Sequence, residues 1–321
     1  MNTSSNTVAS DALAAMHRVA DTVERTPLER DSALSDELGV EVYLKLENQQ
    51  ITGSFKFRGA THRLLTLTDE ARAAGCVAAS SGNHGAAVGT AMQALGVSGV
   101  IFVPQQTSPV KVEKIRATGT AVEFFGTDGL DTEQHARQYA DEHDMTYLSP
   151  YNDPDVIAGQ GTCGVEIAAQ LPGVDAVFVA VGGGGLIGGV GAVLKQHNPK
   201  VRVIGCQPAN SPVMAESIRA GEILDMPSEE TLSDGTAGGI EANAITFPLA
   251  QTVVDEFHCV SEAEIAAEMR GFLDRRGVAI EGAAAVALAV LRQQKDAFQG
   301  ENVVVIICGG NVSDEVIDKI R

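Results

Sequence analysis

The chain has 321 residues, 42 of them acidic and 23 basic, for a net charge of −19. No Lys/Arg-rich run appears, which excludes nucleic acid and anionic membrane surfaces as partners and leaves small molecules. The length suggests about two domains, and a composition 44% hydrophobic but only 4% aromatic reads as an aliphatic α/β interior, with glycine the outlier at 34 residues.

The N-terminal stretch has no basic region followed by an apolar one, so no signal peptide is read and a cytoplasmic protein is expected. Downstream, β-branched runs predict strands at 41–47, 75–79, 99–103, 121–125, 176–181, 202–206 and 302–308. Helical patterns lie between them, among them 85–95, 109–118, 132–143, 186–197, 262–275 and 282–293. This alternation is the signature of βαβ units, so the fold class is α/β with open parallel sheets. The turn-rich segment 149–154 is where the chain is expected to cross between lobes. The uncharged run 176–194 is 19 residues long, but seven of them are Gly, which favours strand, loop and helix start over a membrane span. The five cysteines are odd in number and never spaced C-x-x-C, as expected of buried small hydrophobes in a reducing compartment.

Three glycine-marked segments carry candidate chemistry. In Gly53-Ser-Phe-Lys-Phe-Arg-Gly59, Lys56 is flanked by Phe55 and Phe57. Desolvation there would lower its pKa and suit it to Schiff-base formation; an ordinary surface lysine is the plain alternative. In Ser80-Ser-Gly-Asn-His-Gly85, a strand end runs into a helix start, so Ser81, Gly82, Asn83 and His84 either capture an anion through backbone N–H groups or simply cap the helix. His84 on its own reads as a base, a ligand or a packed side chain. No histidine has metal-ligand spacing, and no metal is expected. The third segment, Gly182-Gly-Gly-Gly185, lacks the Lys-Ser/Thr of a P-loop and the downstream acid of a dinucleotide site. Backbone N–H groups holding a phosphate fit it better.

Taken in this order, the three segments resemble the fold-type II pyridoxal phosphate enzymes, specifically the serine/threonine dehydratase and serine racemase group. The resemblance runs from about Thr26-Pro27 to Cys308-Gly-Gly-Asn311. It implies two open parallel-sheet lobes with pyridoxal 5'-phosphate between them: residues 1–50 and 148–321 as the large domain, 51–147 as the small one. By the same resemblance Lys56 forms the Schiff base, Phe55 lies beside the ring, and Gly182, Gly183, Gly184 and Gly185 hold the phosphate. Asn83 would bond the phenolic oxygen and Cys308 would face the pyridine nitrogen. Ser81, Gly82 and His84 would line the substrate carboxylate pocket, with Ser81 opposite Lys56, and Gly235 and Glu281 would sit at the cofactor edge.

The implied reaction is β-elimination of water from a 3-hydroxy amino acid, giving a 2-oxo acid and ammonia, with L-threonine and L-serine as first substrates. The stretch 233–241 resembles dehydratases for phenylserine, hydroxyaspartate or hydroxyectoine-pathway intermediates, which stand as alternatives beside serine racemisation. Gln207-Pro-Ala-Asn-Ser-Pro-Val213 has no carboxylate where racemase-like members build a divalent cation site. Ten residues follow Asn311, so no regulatory domain is expected. A homodimer is the family-based expectation.

Overall fold

Two sheets organise the computed structural model, which describes residues 4–321. The larger has the order β1 (Leu28–Arg30), β2 (Glu41–Lys45), β10 (Asn302–Ile306), β7 (Ala176–Ala180), β8 (Arg202–Pro208) and β9 (Glu256–Val260), parallel except for the antiparallel pair of β1 with β2. The smaller is parallel throughout, in the order β5 (Ala121–Phe124), β4 (Gly99–Val103), β3 (Cys76–Ala79) and β6 (Thr146–Tyr147). The helices in chain order are α1 (Ser5–Val19), α2 (Ser32–Leu38), α3 (Lys56–Leu65), α4 (Asp69–Ala74), α5 (Asn83–Leu95), α6 (Pro109–Arg116), α7 (Gly129–Glu142), α8 (Pro154–Gln170), α9 (Gly185–His197), α10 (Val213–Ala220), α11 (Thr246–Val253), α12 (Glu262–Arg276), α13 (Gly282–Gln294) and α14 (Asp314–Ile320).

Both faces of the small sheet's central strands β3 and β4 are covered, which is why these two read as unbroken apolar runs, whereas the edge strand β5 is largely exposed. Cys76, Ala78 and Ile101 pack with Ala87, Val88 and Ala91 of α5, while Val77, Val100 and Phe102 pack with Ala136 and Ala140 of α7. In the large sheet every residue of β7 is buried, and the Ala-rich α13 is buried from Gly282 to Leu291 because it lies between the sheet and α12. The expected strands and helices recur with ends displaced by up to three residues. Strand β8 runs on to Pro208 because Gln207 and Pro208 pair with Cys259 and Val260 of β9, a polar edge strand the periodicity did not single out. Helix α8 was also not singled out. Its glycines argue locally against a helix, but they let neighbours approach: a Cβ on Gly161 would lie 2.7 Å from Ala12 Cβ, and one on Gly159 2.6 Å from Gly59 Cα.

The strand orders locate a crevice. In the large sheet the chain runs from β7 outward through β8 to β9, then returns to place β10 on the other side of β7. In the small sheet it runs from β3 through β4 to β5, then returns to place β6 on the other side of β3. Each sheet therefore has a topological switch point, and loops at the carboxyl ends of the strands flanking it form the natural ligand crevice.

Candidate active site

The segments that leave those flanking strands are Ser80–Gly85 after β3, Leu148–Tyr151 after β6, Val181–Gly185 after β7 and Ile307–Gly310 after β10. Three of these four contain residues singled out from the sequence, and Lys56 joins them. It is the first residue of α3, half-buried, with Nζ donating to Pro150 O at 2.9 Å and lying 5.2 Å from the Phe55 ring centroid. Phe55 N donates to Cys308 O at 3.0 Å, which ties the lysine segment to the end of β10. Burial lowers the Lys56 amine from 10.5 to about 8, against the opposing pull of Cys308 and Glu281. The Cys308 thiol is 4% exposed, and burial, helped by Glu281, pushes it well up, so it stays a neutral S–H.

Helices α5 and α9 both begin at glycine with no side-chain cap, which leaves first-turn N–H groups available. At α5, Gly82 is exposed and Ser81 half-buried; among the described residues the Ser81 hydroxyl has no protein partner. His84 is 4% exposed, pushed down to about 3 by burial and the nearby Lys56 charge, and donates from Nε2 to Leu148 O at 2.8 Å. It is a neutral packed histidine at the base of the loop. Asn83 donates from Nδ2 to both Glu281 carboxylate oxygens, at 2.9 and 2.8 Å, and accepts from Asn311 Nδ2 at 2.7 Å. Burial raises Glu281 above the usual carboxylate range despite these bonds.

The tetraglycine turn is shaped by its neighbours. Gly184 has φ +85°, a Cβ on Gly183 would overlap the Tyr151 ring, and one on Gly182 would lie 3.1 Å from Thr236 Cα. Thr246 Oγ1 donates to Gly183 O at 2.6 Å, fixing the turn from outside. Gly235 lies exposed in the turn that contains Thr236, where a Cβ would stand 3.7 Å from Glu281 Oε2. Sequence reasoning missed Tyr151, whose hydroxyl accepts from Glu241 N at 2.9 Å while its ring backs the glycine turn. Its only sequence signal was the turn-rich segment around it.

Gln207 occupies the position where a racemase-like cation site would need an acid. Its amide is buried, donating to Val181 O at 3.0 Å and accepting from Ala215 N at 2.7 Å. Among the described residues no group of three or more His, Cys, Asp or Glu could hold a metal ion, and no helix is long and apolar enough to cross a membrane.

A family model described as pyridoxal-phosphate dependent enzyme matches residues 19–309. An L-threonine ammonia-lyase of Thermotoga maritima is 40% identical over 310 residues, covering 97% of this chain and 77% of the relative. A catabolic L-threonine dehydratase of Escherichia coli is 37% identical over 312 residues, covering 97% and 94%. Among solved structures, threonine deaminase isoform 2 from Solanum lycopersicum superposes with TM-score 0.93 at 34% identity, covering 98% of this chain and 86% of that one. Maize serine racemase superposes with TM-score 0.92 at 30% identity, covering 97% and 95%.

Proposed function

The chain belongs to the pyridoxal-phosphate dependent enzymes, and from that premise we propose that it is a dehydratase converting L-threonine or L-serine to a 2-oxo acid and ammonia. The 3-hydroxyl leaves as water, and water is taken up again when the resulting imine hydrolyses. The chain's own groups fit the cofactor: a cradle at Gly182–Gly185 in which a Cβ on Gly183 would overlap the Tyr151 ring, uncapped N–H groups at the start of α9, and a partly deprotonated lysine. Pyridoxal phosphate, when bound, supplies the sink for the electron pair left at Cα.

The protein's groups do the rest. Lys56 would carry the cofactor through its amine, and its neutral Nζ, once free, would accept the Cα proton. N–H groups of Gly182, Gly183, Gly184 and Gly185 would hold the phosphate, Phe55 would flank the ring, and the Asn83 amide, which donates to Glu281 here, would turn to the phenolic oxygen. The Ser81, Gly82 and His84 segment takes the substrate carboxylate through backbone donors, since a neutral His84 brings no charge. Gly235 and Glu281 close the cofactor edge. Cys308 would offer the ring nitrogen a neutral donor, which would make a weak electron sink and favour prompt elimination over transamination. One observation carries this reading: the lysine, the thiol and two uncapped glycine-started helices meet where both sheets have their switch points.

The test is ammonia release by purified protein supplied with pyridoxal phosphate. Threonine or serine should be deaminated, and Lys56→Ala should lose both activity and the cofactor's visible absorbance. A wild-type protein that stays colourless defeats the proposal. Screening phenylserine, hydroxyaspartate and hydroxyectoine-pathway intermediates alongside ranks the substrates. Racemisation of serine is a second reading, supported by the unpartnered Ser81 hydroxyl at the cleft; chiral analysis of residual serine reports it. We take residues 1–50 and 148–321 as the large domain and 51–147 as the small one. A cytoplasmic homodimer is proposed too, supported for compartment by five free cysteines.

A further inference from the structure

Four charged side chains that this chemistry leaves unused lie together behind Lys56. Lys45 ends β2, Glu47 opens the short turn after it, Arg58 is in the first turn of α3 and Glu166 is on α8; none is more than 2% exposed. The Arg58 guanidinium forks onto Glu47 from Nε and Nη2, at 2.7 and 2.8 Å, and onto Glu166 from Nη1 and Nη2, at 2.7 and 3.0 Å. Its remaining reach goes to Thr162 and Thr26 hydroxyls, each at 3.2 Å. Lys45 Nζ donates to Glu166 at 2.5 Å and to Thr26 O at 2.8 Å, and the Thr26 hydroxyl donates to Glu47 at 2.6 Å.

Two positive and two negative groups make the cluster neutral. Burial alone would push Glu47 up, but the Arg58 guanidinium overrides it and holds the carboxyl below the usual range. Four desolvated charges stabilise a core less well than apolar side chains of the same volume, yet they tolerate little displacement, because any broken fork leaves a buried charge unpaired. Such a cluster is suited to fixing geometry. Arg58 follows Lys56 by two residues, about 200° around a helix, so the two side chains leave α3 on opposite sides: Lys56 toward Pro150 and the cleft, Arg58 into the body. Backbone contact between Gly59 and Gly159, with Gly59 N donating to Gln160 Oε1 at 3.2 Å, lays α3 directly on α8.

We propose that Arg58 is a positioning residue: its double fork onto Glu47 and Glu166 sets the rotation of α3 about its axis and thereby aims the Lys56 amine into the cleft. The proposal rests on Lys56 being the cofactor lysine. Arg58→Lys keeps the charge but not the fork. In the holoenzyme it should lower kcat by about tenfold or more with KM changed less than about threefold. It should also reduce the visible circular dichroism of the bound cofactor by at least half while far-ultraviolet dichroism is unchanged. Values of kcat and visible dichroism within about twofold of wild type overturn the positioning role. If Arg58→Lys does not fold, Glu166→Gln, which keeps shape and weakens one arm of the fork, should show the same losses, and its indifference counts equally against the idea. Lys56→Ala run in parallel separates the two claims: retention of its visible band defeats the lysine assignment, whereas loss of that band beside an indifferent Arg58→Lys protein defeats only the role of Arg58.

Discussion

Lys56 combines a hydrogen bond to Pro150 O at 2.9 Å with burial that lowers its amine to about 8. For a lysine, burial penalises the charged form, so the amine becomes neutral above about pH 8 instead of above 10.5. In protein freed of cofactor, labelling of Lys56 by an amine-acylating reagent should therefore rise with pH to a midpoint near 8, read by peptide mass spectrometry. A midpoint above 10 would mean that the amine is hydrated. No second limb from His84 is expected near neutrality, since burial keeps it uncharged. Desolvation of this lysine was legible in the sequence as one of two readings, because its aromatic neighbours, Phe55 and Phe57, adjoin it along the chain; its Schiff-base role came only from the resemblance. Its partner Pro150, the ring of Tyr151 and the Arg58–Glu166 pair were not legible, because the fold assembles them from α3, the end of β6 and α8.

Helix starts differ in whether a side chain takes up their first N–H groups, and α3, α6, α10, α11 and α13 have no side-chain cap. Ser4, Asp128, Asp153, Ser261 and Ser313 cap α1, α7, α8, α12 and α14 with their own side chains. Helices α5 and α9 start at Gly82 and Gly184 without a side-chain cap, and the proposed function gives their free donors to a ligand. At α9 the absence of side chains is also steric. Gly183→Ala would drive a methyl into the Tyr151 ring, and should weaken cofactor binding by about tenfold, or about 1.4 kcal/mol, in a fluorescence titration. Gly129→Ala, at the start of α7 with nothing within 4 Å of its Cβ, is the matched control and should bind as wild type. Equal affinities in the two variants would remove the steric argument. These two helix starts were readable because glycines at a strand end mark them. Helix α8 was not singled out, since Gly59 against Gly159 is a crossing of two elements and no local pattern announces it.

At the scale of the molecule, the −19 charge and the proposed ligands have the same sign. A phosphate and a carboxylate must then be held by N–H groups inside the crevice, where fixed donors outweigh the net field, while the acidic excess repels itself over the outer surface. The two contributions respond differently to salt. Raising ionic strength toward 1 M shrinks the screening length to about 3 Å, which should relieve surface repulsion yet leave the Arg58, Lys45, Glu47 and Glu166 cluster intact, as all four are at most 2% exposed. The melting temperature should therefore rise by about 2 °C or more between low and high sodium chloride, while cofactor affinity changes less than about threefold. A melting temperature that falls with salt would show exposed ion pairs, such as Arg30 with Glu41 and Arg276 with Glu29, outweighing the repulsion among the excess carboxylates. A cofactor affinity that collapses with salt would instead place the phosphate in an exposed site held by side-chain charge, against the backbone cradle at Gly182–Gly185.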